Sequence, residues 1–141
     1  ATLPSLEFVT DAAALVAHDD RSLRHSAIGG LDDVARRDPA AIASVAAEFE
    51  AALSYPDADT RALATATIGR VTASVDTAVE LVTWQVFELL ADEHPPVRAH
   101  ACVALGHGRV GAATPRLRDL ARADPVPTVR DRATWALRRL S

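Results

Sequence analysis

One short phrase containing arginine occurs four times in this chain, and this repetition constrains the fold more than any other feature. Each copy has Leu, Thr or Val before the arginine, Ala three residues after it, and Leu or Ile seven residues after it. The four arginines are Arg24, Arg61, Arg98 and Arg130, with spacings of 37, 37 and 32 residues. A period of this size is typical of repeat proteins, whose stacked units more often form binding surfaces than active sites.

The composition favours closely packed helices. Of the 141 residues, 49% are hydrophobic but only 4% are aromatic, so the core must consist mainly of Ala, Leu, Val and Ile. No alternating β-branched run and no Asn-Gly or Asp-Gly pair indicates a β-hairpin. The single Cys102 excludes an internal disulfide and a cysteine-based zinc site. No segment approaches the roughly 20 apolar residues of a membrane helix, and no signal peptide is evident, so we expect a cytoplasmic protein.

Helix caps and apolar periodicity predict eight helices joined by short connections. Their predicted bounds are 5–18, 19–37, 38–54, from the turn at 55–57 to 71, 75–91, 97–107, 114–123 and 128–140. Short connections make successive helices antiparallel neighbours. We therefore expect one all-α domain over residues 1–141, built from four helical hairpins at about 5–37, 38–72, 74–108 and 111–141.

Several local features are also predicted. Ser74 is expected to cap the fifth helix and Thr128 the eighth, because Ser and Thr are favoured at helix N-termini. Gly106 and Gly108 are expected to end the sixth helix in left-handed geometry. Trp84 and Phe87 are expected in the core or at a seam between repeats.

The repeated phrase resembles a HEAT repeat, specifically the short variety of phycobilin-lyase-type HEAT-like proteins. The resemblance is strongest from Asp92 to Leu140, which contains Asp-x-x-x-x-Val-Arg-x-x-Ala-x-x-Ala-Leu-Gly and then Asp-Pro-x-x-x-Val-Arg. The two N-terminal repeats are degenerate, with Gly30 and Thr67 where Ala is usual. The resemblance implies a right-handed α-solenoid in which the second helix of each hairpin lines the concave side.

Independently of the resemblance, the spacing assigns roles within each second helix. Positions −1, +3 and +7 from the arginine share one face, which we expect to pack inward. The arginine stem is expected to cover the seam between repeats, and its guanidinium to pair with an aspartate in a nearby loop.

We find no sequence motif that indicates catalysis. There is no phosphate-binding glycine loop, no Gly-x-Ser-x-Gly elbow and no His-Glu-x-x-His. HEAT-repeat hydroxylases hold two irons with His-Glu pairs at the position of His25, but here Ser26 follows. His100 and His107 lie two helical turns apart, about 10 Å, too far to share a metal directly. We expect no catalytic activity, no cofactor and no metal.

Positions +1, +2 and +5 of the second helices should face the groove. They form a mixed, rather apolar strip from which we select five residues as a candidate site for a protein or peptide partner: Leu63, His100, Val103, Arg132 and Trp135. A Trp beside an Arg is a pair enriched at binding hot spots. Alternatively, Trp135 covers the open end of the solenoid, since terminal repeats need capping.

The two ends of the chain carry opposite net charges. Residues 98–141 contain nine arginines and three aspartates, a net of +6, whereas residues 1–97 have a net charge of −10. A basic end can bind nucleic acid or another polyanion, and the candidate residues are Arg116, Arg118, Arg132, Arg138 and Arg139. The opposite charges could also promote head-to-tail association between copies.

Overall fold

The computed structural model describes residues 6–75, 80 and 82–141. Within them the chain forms an α-solenoid of nine α-helices, with short 3-10 segments between some of them and no strand. The helices are α1 (Leu6–Ala13), α2 (Arg21–Arg37), α3 (Pro39–Ala43), α4 (Phe49–Leu53), α5 (Ala58–Ser74), α6 (Thr83–Glu88), α7 (Pro95–His107), α8 (Thr114–Ala123) and α9 (Pro127–Leu140).

The helices form two layers. The inner layer consists of α2, α5, α7 and α9, each packed on the next. The outer layer consists of α1, α3 with α4, α6 and α8, which pack against the inner helices. Positions −1, +3 and +7 of the inner helices are buried as predicted, except at the two ends of the stack. There Leu23 is 46% exposed and Leu137 is only partly buried.

The prediction of one continuous helix over 38–54 is wrong. The helix is interrupted at Ser44 and Val45, and the segment forms α3, a 3-10 turn over Ala46–Glu48, and α4. The Ser44 hydroxyl donates to the Ala41 carbonyl at 2.8 Å, which diverts that oxygen from the helical ladder. Val45 then leaves helical geometry and is buried. The break lets both halves of this outer segment bury Ile42 and Phe49 against the inner layer.

Two other local predictions are also wrong. The first helix ends at Ala13 rather than at His18, because the amides of Leu15 and His18 donate to carbonyls three residues earlier instead of four. Thr128 does not cap the last helix but lies inside α9, which begins at Pro127. Ser74 is the last residue of α5, and its predicted role as a cap stays a prediction, because the positions it would cap lie outside the described residues. The predicted helix over 75–91 falls partly on positions outside the described residues; its described part is α6 and a 3-10 turn over Leu89–Ala91.

The aromatic pair on α6 was predicted to lie in the core or at a seam, and this holds for one member only. Phe87 is partly buried and packs against the core. Trp84 is 67% exposed and stacks on Phe87 with ring centroids 6.2 Å apart. The prediction was wrong for Trp84 because α6 is a single short outer helix, whose far side has no second layer to bury it.

The end of α7 differs from the prediction in an informative way. Neither Gly106 nor Gly108 is left-handed; Arg109 is, with φ of 52°. The Val110 amide donates to the Leu105 carbonyl and the Arg109 amide to the Gly106 carbonyl, which is a Schellman motif with Arg109 at the left-handed position. Gly106 instead serves close packing: a Cβ there would lie 2.8 Å from Trp135 Cζ3 and 3.0 Å from Ala136 Cα.

The four repeated arginines hold successive repeats together through a recurring set of contacts, which we call the arginine latch. In each repeat Nη1 donates to the backbone carbonyl six residues earlier, at 2.7–2.9 Å. In Arg61 and Arg98 the other side of the guanidinium forms a two-pronged ion pair with the next repeat's aspartate, Asp92 or Asp124. The predicted pairing of these arginines with loop aspartates is therefore confirmed.

The first latch uses different residues for the same purpose. Arg24 donates to Asp57 at 3.2 Å, and its guanidinium lies 4.1 Å from the centroid of the Tyr55 ring. The last latch is half formed. Arg130 donates to the Asp124 carbonyl at 2.7 Å, and among the described residues it has no aspartate partner.

Replacing Gly106 by Ala should destabilise the protein by about 1–3 kcal/mol, because the added methyl group would force α7 and α9 apart. Gly29 on α2 is the matched control, since nothing lies within 4 Å of a Cβ built there. Gly29→Ala should be neutral or stabilising by up to about 1 kcal/mol, owing to the better helix propensity of Ala. Urea unfolding of both variants tests this; equal stability of G106A and wild type would contradict the close approach.

Arg98→Ala should cost about 3–5 kcal/mol, because it leaves the buried carboxylate of Asp124 without its cation. Arg130→Ala removes the same residue type at the same repeat position but breaks no ion pair with an aspartate. Its cost should be only about 1–2 kcal/mol. The difference between the two free energies of unfolding measures the contribution of the inter-repeat ion pair, and equal losses would show that the pair contributes nothing.

The latch should also make stability depend on pH under acidic conditions. Burial alone would raise the pKa of Asp57. Hydrogen bonds from Thr60, the Asp59 amide and Arg24, together with the Arg21 charge, outweigh this effect and lower the pKa to about 2. The ionised Asp57 therefore stabilises the fold fully above the unfolded-state pKa of about 3.9, and this stabilisation is lost as the pH falls towards 2. Unfolding free energies measured from pH 5 to 2 should therefore fall less steeply in Asp57→Asn than in the wild type.

Candidate binding surface on the inner helices

The inner helices carry a pocket of about 520 Å³ that touches all four of them. We call it the cationic pocket, and its lining is Ala35, Arg36, Pro39, Ala66, Gly69, Arg70, Ala73, Ser74, His100, Val103, His107 and Arg132. Its main members stand at +2, +5, +9 and +12 from the repeated arginines. This spacing is one stripe along each helix, so the repeat pattern itself aligns these residues in neighbouring helices.

A second, smaller pocket of about 290 Å³ lies between the N-terminal halves of α7 and α9. We call it the apolar pocket; it is lined by Pro95, Pro96, Ala99, His100, Val126, Thr128, Val129 and Arg132. His100 and Arg132 border both pockets. The two cavities are therefore neighbours on one surface, which we call the inner face.

The guanidinium groups of the cationic pocket are incompletely neutralised. Asp32, which is nearly buried, accepts from Arg70 Nε at 2.9 Å and lies 3.3 Å from Arg36 Nη2. Thr67 also donates to this carboxylate, at 3.0 Å. Arg132 is exposed and forms no hydrogen bond or ion pair with any described residue. Two of the three arginines thus share one carboxylate and the third has none, which leaves a net positive charge around the pocket.

The two histidines of the cationic pocket favour their neutral forms. Burial lowers the pKa of His100, and the charges of Arg70 and Arg132 lower it further against the opposing effect of Asp32. Burial and then the Arg139 charge lower the pKa of His107. His107 Nδ1 is buried without a hydrogen-bond partner in the described structure, and its ring meets Trp135 edge-on at 4.8 Å. Both environments therefore disfavour the protonated ring.

The five residues predicted for a partner site do not all lie together. His100, Val103 and Arg132 line the cationic pocket. Leu63 is partly buried against the core and lines neither pocket. Trp135 packs over Gly106 and His107, with the Arg139 guanidinium 5.8 Å from its ring centroid. Its contacts are those of a residue that covers the α7–α9 contact, and its role in binding stays a prediction.

The five arginines predicted for anion binding are divided among different surfaces. Arg116 and Arg118 are exposed on α8 in the outer layer. Arg138 and Arg139 are exposed in the last turn of α9. Of the five, Arg132 lines a described pocket. The fold thus spreads this charge over the C-terminal end rather than collecting it in one site.

Sequence reasoning missed three residues of the cationic pocket: Arg36, Arg70 and His107. They stand at +12, +9 and +9 from their repeat arginines, on the same helical stripe as +2 and +5. The predicted strip ended at +5, although the helices continue for two more turns. Extending the 3.6-residue period to the end of each helix would have found them.

The described residues show little that could perform chemistry. They contain no group of three or more His, Cys, Asp and Glu side chains placed to hold a metal ion. His25, the position of interest for iron, has its Nε2 2.8 Å from Thr60 Oγ1 and 3.3 Å from Asp57. Burial raises the pKa of Cys102 to about 12, so its thiol stays protonated. None of the described helices has the length and apolar character needed to cross a bilayer.

Comparison with solved structures supports the fold. Two engineered proteins from the Northeast Structural Genomics Consortium superpose with TM-scores of 0.78 and 0.79, at 16% and 17% sequence identity. Each alignment covers 94% of this chain, which spans 62% and 37% of the two engineered proteins. Identities this low show a shared fold alone. No curated protein matches the sequence.

The sequence itself matches a family model. The model of HEAT repeats matches residues 46–138, about two thirds of the chain. This region contains the two complete latches from Arg61 and Arg98 as well as most of the cationic pocket. The chain belongs to the HEAT-repeat family.

Proposed function

We propose that this chain is a non-catalytic scaffold that binds a protein or peptide partner through the inner face. The observation that supports this most directly is the cationic pocket, a continuous cavity to which all four inner helices contribute. Its floor is made of small residues, Ala66, Gly69 and Ala73, which leave room for an extended segment. Its rim carries arginines, which are enriched at protein interfaces.

The chemistry of the pocket lining favours recognition over catalysis. Its charged groups are guanidiniums, which do not exchange protons near neutral pH, and its histidines have lowered pKa values. Among the described residues that line it, Ser74 supplies the one hydroxyl and none supplies a carboxylate. The buried, protonated Cys102 offers no nucleophile.

Three further assignments belong to this proposal. The four repeats, at about 5–37, 38–72, 74–108 and 111–141, form a single domain. They belong to the phycobilin-lyase type, on the basis of the phrase from Asp92 to Gly106. The protein acts in the cytoplasm.

The competing function is binding of nucleic acid or another polyanion at the C-terminal end. It is supported by the exposed Arg116, Arg118, Arg138 and Arg139, which form no ion pair with described residues. Against it stands the net charge of −10 on residues 1–97, which would repel an extended polyanion. We therefore favour a protein or peptide partner over a polyanion.

The proposal can be tested by selecting peptides from a randomised nine-residue phage library on the full chain. We expect selected, fluorescein-labelled peptides to bind Ala73→Trp at least tenfold more weakly than wild type, because the indole would fill the cationic pocket. Ala51→Trp is the matched control, since Ala51 is exposed on α4 in the outer layer. Melting temperatures would confirm that both variants fold.

Two results would contradict the proposal. Peptides that bind A73W as tightly as wild type would place recognition away from the inner face. A labelled DNA duplex that binds at about 50 mM salt, with affinity falling steeply by about 200 mM, would favour the polyanion function instead.

A further inference from the structure

We infer that the partner of the inner face is an acidic–apolar peptide: one carboxylate side chain binds in the cationic pocket, and an apolar side chain two residues away binds in the apolar pocket. This inference rests on the proposed function and adds the chemistry of the ligand. It depends on the free hydrogen-bond donors of two arginines, the position of His100 between them, and the nature of the adjoining cavity.

Arg70 and Arg132 present unused donors to the cationic pocket. Arg70 engages Asp32 through Nε, and neither of its terminal nitrogens is hydrogen-bonded to a described residue. Arg132 is exposed and has no partner in the described part of the chain. The oxygens of Asp32 are already used by Thr67, Arg70 and Arg36. A ligand carboxylate would therefore complete a charge balance that the protein leaves open, with the geometry that guanidiniums favour.

His100 lies where it can respond to such a carboxylate. Arg70 on α5 and Arg132 on α9 both act on it electrostatically, and Asp32 on α2 acts in the opposite sense. Without a ligand, burial and the two cations lower the pKa of the imidazole and so favour its neutral form. A bound carboxylate offsets those cations and favours protonation, so binding should strengthen as the pH falls from neutral and His100 becomes protonated.

The apolar pocket, which adjoins the cationic pocket, has a mainly hydrophobic lining. Pro95, Pro96, Ala99, Val126 and Val129 supply most of the apolar pocket. Pro95 and Pro96 occupy the first turn of α7 and Pro127 begins α9, so three backbone positions at these helix starts carry no amide hydrogen. The mostly apolar lining of this pocket therefore suits an aliphatic side chain.

The shared border brings the two side chains of the ligand close together. His100 and Arg132 line both pockets, so the two cavities adjoin one another. In an extended peptide, residues i and i+2 project to the same side about 6–7 Å apart. One peptide can thus fill both pockets. A nucleic acid could place a phosphate in the cationic pocket, but it has no aliphatic group for the apolar pocket.

The phage selection described above tests this inference when the selected sequences are compared. We expect peptides that A73W no longer binds to be enriched in Asp or Glu two residues from Leu, Ile or Val. In the best peptide, replacing the acid by its amide, or the aliphatic residue by Ser, should each weaken binding at least tenfold. Arg132→Glu and Arg70→Glu should have similar effects, whereas Arg116→Glu, in the outer layer, should have none.

Two further experiments, a charge reversal and a pH series, distinguish direct contact of Arg132 and His100 with the peptide from a structural role of these residues. Selection on R132E should yield peptides with Lys or Arg at the acidic position. Affinity of the wild type for the best peptide should rise at least threefold from pH 7.5 to 5.5, and His100→Gln should abolish that rise.

The outcomes separate the two proposals. Peptides that A73W excludes but that show no acidic enrichment would overturn this inference and leave the proposed function intact. If A73W excludes no selected peptide, both fail. If a DNA duplex displaces the best peptide with comparable affinity at about 150 mM salt, the cationic pocket is a general polyanion site and the peptide inference is overturned.

Discussion

The arginine latch is the interaction on which the rest of the structure depends. In a complete latch one guanidinium joins two repeats. Arg98 donates to the carbonyls of Asp92 and Glu93, in the turn before its own helix, and to the carboxylate of Asp124 in the next repeat. That aspartate in turn accepts from the amide two residues on, so it stabilises the next turn as well. Because both charges are nearly buried, losing either would leave the other uncompensated. The latch therefore sets the register of each inner helix on its neighbour.

Fixed register is also what creates the inner face. Small residues at the helix contacts, such as Gly69 against Ala104 and Gly106 against Ala136, allow the inner helices to approach closely. Side chains on the same stripe of successive inner helices then lie near one another, which places Arg70, His100 and Arg132 around one cavity. The residues that hold the repeats together and those that line the cationic pocket are different positions of the same repeat. The pocket lining can thus vary without loss of the stack.

Much of this architecture could be read from the sequence, because it depends on local and periodic rules. The arginine period predicted four stacked hairpins, the inward positions and the pairing of arginines with loop aspartates. Local breaks were harder to predict. The interruption at Ser44 and Val45 combines the local hydrogen bond from Ser44 with the burial of Ile42 and Phe49 on the inner layer. Gly106 is needed for Trp135 and Ala136, which are 29 and 30 residues away. Neither packing constraint is visible in a window of local sequence.

By itself, the sequence determined the repeat, the helical class and the stripe of each helix that faces the groove, since these follow from a 3.6-residue period and from the charges of side chains. Only the tertiary structure decided which members of the stripe line a pocket. It joined Arg36, Arg70 and His107 to His100, Val103 and Arg132, and it placed Leu63 and Trp135 outside the pockets. The physical reason is that a pocket is a property of the spacing between helices. That spacing is set by the volumes of the side chains packed between them, not by the pattern along any one helix.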